Sequence, residues 1–153
     1  MTPAKPAASS YQESGVDIAK GNTFVNNIQR SMKSTQSAAV IHQARGFAAL
    51  FDPSKSNLPQ NEELLWVSST DGVGTKISLA LQADNLSHIG QDLAGMVLND
   101  LAVTGAQSLF FLDYLASSKL SLQHLEQIVE GLCKALKKCD TALVGGETAE
   151  MPG

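Results

Sequence analysis

Apolar residues recur with helical spacing in three stretches of the chain and crowd into short runs in four others. From Asn22, the residues Phe24, Ile28 and Met32 return every fourth position. Asn22 or Thr23 is available as an N-cap, which predicts a short amphipathic helix to about Lys33. Asp92 to Thr104 is helical too: at about 100° per residue, Leu93, Met96, Val97, Leu101 and Thr104 form one stripe, and Gly105 supplies a stop. Ser121 can cap a third helix, in which Leu122, Leu125, Val129, Leu132 and Leu136 line one face. It ends at Lys137 and Lys138, where cations suit the helix dipole. A repeat this brief reads as a helix lying on a sheet rather than a coiled coil.

The apolar runs read as strands. Gly46 to Phe51 and Leu64 to Ser69 flank DPSKSNLPQNEE, whose Pro, Ser and Asn mark a surface loop, and an antiparallel pair is predicted from them. SLFFLDYL, residues 108–115, is strand-like by its aromatic and apolar density, and Thr141 to Val144 is a buried strand running into Gly145-Gly146. Ile77, Leu79 and Leu81 alternate over a segment too short to separate a strand from a helical turn. Residues 1–20 lack sustained periodicity and are expected to be a flexible leader, with one domain over 21–153. Helix, strand pair, helix, strand, helix, strand is the order of an α/β (α+β) domain, a mixed β-sheet covered by helices.

Composition narrows the function. At 153 residues there is room for one ordinary core without a disulfide or metal staple. Eleven Lys and Arg face fifteen Asp and Glu, for a net charge of −4, and no basic run exceeds Lys137-Lys138, so a nucleic-acid footprint is not expected. Cys133 and Cys139 form no Cys-x-x-Cys pair and are expected to be free thiols of a reducing compartment. The opening MTPAKPAASS has no apolar signal core, and Asp113 breaks the longest apolar stretch. No membrane span is expected, and a cytoplasmic location is. The closing GGETAEMPG has nothing after it to pack over it, which reads as a chain cut within a longer protein.

Three acids strain a purely structural account. Asp71 lies in STDGVGTK directly after a predicted strand. Gly72 and Gly74 allow close backbone approach, so the turn could form an anion nest, with Lys76 as a point charge and Asp71 free to hold a divalent cation. The plain alternative is a tight connection, since neither a Walker A loop nor a dinucleotide fingerprint is present. Asp100 falls near the middle of the second helix's apolar stripe, where an unpaired carboxylate is costly and a cation, a donor or a subunit contact is expected to meet it. Glu147 follows Gly145-Gly146 at the expected C-terminal edge of a strand, the place where ligands bind in helix-covered sheets. Asp113, inside an apolar strand, ranks below these three. His42, His88 and His124 show no spacing to a nucleophile, and no Gly-x-Ser-x-Gly elbow is present. Acids beside glycine turns with a single Lys suit Mg²⁺ around a nucleotide's phosphates.

At these residues the chain resembles the aminoimidazole ribonucleotide synthetase (phosphoribosylformylglycinamidine cyclo-ligase) family. YQESGVDIAKGN, STDGVGTK, DLAGMVLNDLAVTGA, LFFLDYLASSKL and LVGGETAEMPG carry the resemblance, in the family's order, across the N-terminal half of such an enzyme. The resemblance implies an ATP-dependent ring closure in purine biosynthesis. Formylglycinamidine ribonucleotide becomes aminoimidazole ribonucleotide, with ADP and phosphate released, through phosphorylation of the formyl oxygen and attack by the amidine nitrogen. It implies that Asp71 and Asp100 hold Mg²⁺ with ATP. Gly72, Gly74, Thr75, Lys76, Gly145, Gly146 and Glu147 would line the nucleotide, and the leader around Asp17 would order over it. It also implies a homodimer whose sheets join into a barrel, and a missing C-terminal domain, so that the fragment alone does not turn over. The alternatives are a non-catalytic dimerisation fragment, or another ATP-using relative of the selenophosphate synthetase or thiamine-monophosphate kinase type. Two positions depart from the family pattern: Ser108 stands where Pro is usual, and Ile41 to Arg45 replaces a glycine-rich stretch.

Overall fold

A computed structural model describes residues 17–41, 49–59, 63–119 and 121–151. The elements run α1 (Ile18–Lys33), β1 (Val40–Ile41), β2 (Leu50–Phe51), a 3₁₀ turn (Pro53–Lys55), α2 (Lys76–Gln82), α3 (Ile89–Ala102), β3 (Phe110–Ser117), α4 (Leu122–Lys138) and β4 (Ala142–Glu150). Helices and strands mix as expected, but among the described residues there is no single mixed sheet. There are two sheets of two strands, β1 antiparallel to β2 and β3 parallel to β4.

Several boundaries move for local reasons. α1 begins four residues before Asn22 because the Asp17 carboxylate accepts a hydrogen bond from the Lys20 amide at 3.0 Å and caps the helix there. The last residues of the expected leader are therefore helical, while 1–16 lie outside the described residues. The predicted pairing of Gly46–Phe51 with Leu64–Ser69 is corrected: Leu50–Phe51 pairs with Val40–Ile41, and 63–74 contains no helix or strand. The apolar density of 64–69 is real but unsheltered, with Leu65 95% and Trp66 63% exposed. The segment at 76–82, left open between strand and turn, is helical.

The core is built on α4. Its predicted stripe is the buried one: Leu125, Val129, Leu132 and Leu136 are each at most 6% exposed, and Leu122 packs at the margin. They meet Phe24 of α1, Ala94 and Val97 of α3, Phe111 of β3 and Leu143 of β4. α3 and α4 cross at backbone contact. A Cβ on Gly90 would overlap the Ile128 carbonyl and the Leu132 amide, and one on Gly131 would lie 2.7 Å from the Ser87 carbonyl. Parallel strands need a crossover, and α4 supplies it between β3 and β4. Side chains cap β4 at Leu143: its amide donates to Thr35 Oγ1 at 2.9 Å, and Gln36 Nε2 donates to its carbonyl at 3.0 Å. Ser108 hydrogen-bonds the buried Thr141 hydroxyl and so ties the entries to β3 and β4 together.

Candidate functional site

The glycine turn leaves the unpaired 63–74 segment and enters α2. Gly74 holds φ at 66°, the left-handed region that favours glycine, and Asp71 Oδ1 accepts from the Gly72 amide at 2.7 Å. Thr75 takes the N-cap position of α2 without a side-chain hydrogen bond. Lys76, expected as a lone point charge, is paired: its Nζ lies 3.3 Å from Asp92 Oδ2 in the first turn of α3. No sequence spacing announced that pair.

Asp100 is not buried. α3 turns Ile89, Gly90, Ala94 and Val97 inward, and Asp100 lies past the last of these, on exposed helix. The position still carries information, because Ser69 Oγ donates to Asp100 Oδ2 at 3.0 Å. That bond fastens the start of the glycine turn to α3 and puts Asp100 beside a loop whose other acid, Asp71, is two residues on. Asp71 and Gly72 also line a cavity of about 860 Å³ between the 64–73 segment, α3 and β3. Gly74, Thr75, Lys76 and Asp100 do not line it. No three His, Cys, Asp or Glu side chains converge on one point among the described residues.

Glu147 is inside β4 rather than in a loop beyond a strand. β3 and β4 shift register between Phe111 and Leu112: Phe111 pairs with Leu143, but Leu112 pairs with Gly145, so Val144 is an extra residue. The bulge reverses the alternation of everything that follows. Without it Glu147 would point to the same side as buried Leu143. With it Glu147 pairs with exposed Tyr114, and Gly146, itself exposed, pairs with half-buried Asp113 on the opposite face. A Cβ on Gly145 would make an ordinary 3.7 Å contact with Leu112, whereas one on Gly146 would collide with the Asp113 carboxylate and carbonyl. Gly146 is thus explained by its neighbour strand. At the end of β4, the Asp17 amide donates to Glu150 Oε2 at 2.6 Å, which joins the start of α1 to the strand that carries Glu147.

Asp113, ranked last of the four acids in the sequence, is the most perturbed in the structure. Burial lifts its carboxyl from the ordinary 3.8 to about 6. The signal was present as a charge at an inward position of an alternating strand, between Phe111 and Leu115, and could have been weighted more heavily. Cys133 is buried and free, and its thiol is pushed up to about 11 by burial and by the charges of Asp113 and Glu130. Cys139 is exposed and also free. His124 pairs with Asp84 at 2.8 Å. No described helix is long and apolar enough to cross a membrane.

The chain is similar to known proteins over most of its length. The family described as AIR synthase related protein, N-terminal domain, matches residues 37–153. A phosphoribosylformylglycinamidine cyclo-ligase of Trichlorobacter lovleyi is 47% identical over 150 residues, 98% of this chain and 42% of that protein. Proteins of the same name from Oleidesulfovibrio alaskensis and Streptococcus pneumoniae are 45% and 43% identical, over 95% and 94% of this chain. The chain spans about two fifths of the length of these curated relatives.

Proposed function

The chain belongs to the AIR synthase related protein N-terminal domain family, and from that premise we propose that it is the nucleotide-binding, dimerising portion of a cyclo-ligase. That enzyme would close formylglycinamidine ribonucleotide to aminoimidazole ribonucleotide in purine biosynthesis in the cytoplasm, with use of ATP and Mg²⁺. The observation that carries the reading is the Ser69–Asp100 hydrogen bond, 3.0 Å, which gathers the glycine turn and α3 into one acidic margin. Mg²⁺ keeps most of its waters and is commonly held by one or two carboxylates plus phosphate oxygens, so the pair Asp71 and Asp100 fits it without a third protein ligand. ATP, when bound, supplies the phosphoryl group that makes the formyl oxygen a leaving group.

The chain's own residues do the positioning. The 72–75 backbone faces phosphate oxygens, and Lys76 exchanges Asp92 for a phosphate at low cost, since both partners are 44% exposed. Glu147, re-aimed by the bulge, reaches the ligand from the open face of β3 and β4, and the Asp17 amide holds the start of α1 at the end of β4. A second copy covers that open face, on which Phe110, Leu112 and Tyr114 are 41%, 59% and 61% exposed.

The test is calorimetric titration of the chain with ATP and Mg²⁺. Saturable heat is expected, lost in Asp100→Ala with the fold retained. No saturable heat at millimolar nucleotide refutes binding by this chain. Turnover of formylglycinamidine ribonucleotide by the longer protein, followed as aminoimidazole product, tests the reaction itself.

A further inference from the structure

Asp113 has no use in the nucleotide scheme, yet the fold makes room for it. It stands in the middle of β3 on the covered side, flanked there by Phe111 and Leu115, and the facing strand gives up its side chain at Gly146 to admit the carboxylate. Among the described residues no basic side chain pairs with it. A half-buried carboxylate without a cationic partner is costly, and a strand that needs only packing would place an aliphatic residue there. Asp113 also borders the cavity that Asp71 and Gly72 line, whose other walls are largely apolar, from Leu64 and Trp66 to Leu93 and Val97. A cavity that joins an acidic turn to a second, unpaired acid is complementary to a small ligand with a planar, N–H-rich cation.

An amidinium is such a group: its two parallel N–H donors match the two oxygens of one carboxylate, as in paired guanidinium–carboxylate contacts. We propose that Asp113 binds and orients the amidine of the substrate in this cavity, an inference that takes the amidine's identity from the ring-closing function above. Burial supports it, because a carboxyl held at about 6 is ionised at neutral pH and gains most from a cationic partner. The carboxylate discriminates between the two ends of the substrate's reacting arm. It accepts from the amidine nitrogens and repels the formyl oxygen, and so fixes which end faces the acidic turn.

The probe is benzamidine, with the neutral isostere benzamide beside it, titrated into the ¹⁵N-labelled chain and followed by backbone amide shifts. Wild type is expected to bind benzamidine about tenfold or more tightly than benzamide, with the Asp113 and Gly146 amides among those that move. Asp113→Asn keeps the shape and is expected to erase the preference, while Asp52→Asn, at an acid that does not line the cavity, retains it. Equal binding of the two probes, a preference that survives Asp113→Asn, or silence at 113 and 146 overturns the proposal. Because the probe carries no phosphate, the outcome is independent of the nucleotide titration. A selective benzamidine site with no turnover would sink the cyclo-ligase reading alone, and turnover without selectivity would sink this inference alone.

Discussion

Replacing Asp113 with Asn should make the protein more stable at neutral pH and leave it unchanged in acid. The native carboxyl titrates near 6 and the unfolded one near 3.8. Below about pH 3 both forms are protonated, and the group contributes nothing. Between these values the folded state holds the proton while the unfolded state has released it, so stability falls as pH rises, by up to about 1.4 kcal/mol per pH unit. Above about pH 6.5 both are ionised and the penalty is complete. The shift of roughly two units corresponds to at most about 3 kcal/mol. The Cys133 thiol, held at about 11, stays neutral throughout and adds no slope. Urea unfolding of wild type and Asp113→Asn at pH 4, 5, 6 and 7.5 measures the difference directly, since every other carboxylate is common to both proteins. A difference that opens between pH 4 and 6.5 and then levels is expected. A difference flat across that range would mean that the carboxyl is not desolvated in the native state, and the burial argument would fall.

Two further outcomes follow from the same strand pair and from α4. Gly146→Ala should lower stability by about 1–3 kcal/mol in urea unfolding, and Asp113→Ala in that background should restore only part, because the Asp113 carbonyl remains in the way. Gly145→Ala, with its ordinary contact to Leu112, should stay within about 1 kcal/mol of wild type, and equal losses at 145 and 146 would contradict the register. A thiol reagent at pH 7.5 should modify exposed Cys139 promptly and buried Cys133 only at the rate of unfolding, and mass spectrometry of partly labelled protein showing both at similar rates would rule this out.

Helices proved legible wherever the core-facing stripe was long. On α4 the periodicity found Leu125, Val129, Leu132 and Leu136, while buried Ile128, Gly131 and Cys133 widen the inward face beyond the stripe and Leu122 stays at its margin. Strand pairing was not legible from local signals. Leu64–Ser69 has the density of a strand, but hydropathy cannot say whether an edge is available to it, and Val40–Ile41 took the pairing with Leu50–Phe51. The stripe argument at Asp100 failed because the fully buried positions of α3 are Ile89, Gly90, Ala94 and Val97, and Asp100 is exposed beyond them. What the structure shows at this position is an exposed carboxylate that accepts a hydrogen bond from Ser69, not a hidden charge. The bulge at Val144 was invisible, because one extra residue flips the facing of Glu147 without changing the composition of the strand. The ranking of Asp113 inverted for the reason that raised it: its inward facing is a property of alternation along β3, which was fully present in the sequence.

The side chains of Thr35 and Gln36 occupy both main-chain groups of Leu143 on the outer side of β4. A strand recruited to that margin, whether another stretch of the same polypeptide or another molecule, must first displace those two side chains at the buried start of β4. A threonine and a glutamine thus guard one rung of the strand, and extension there carries the cost of exposing Leu143's neighbours in the core.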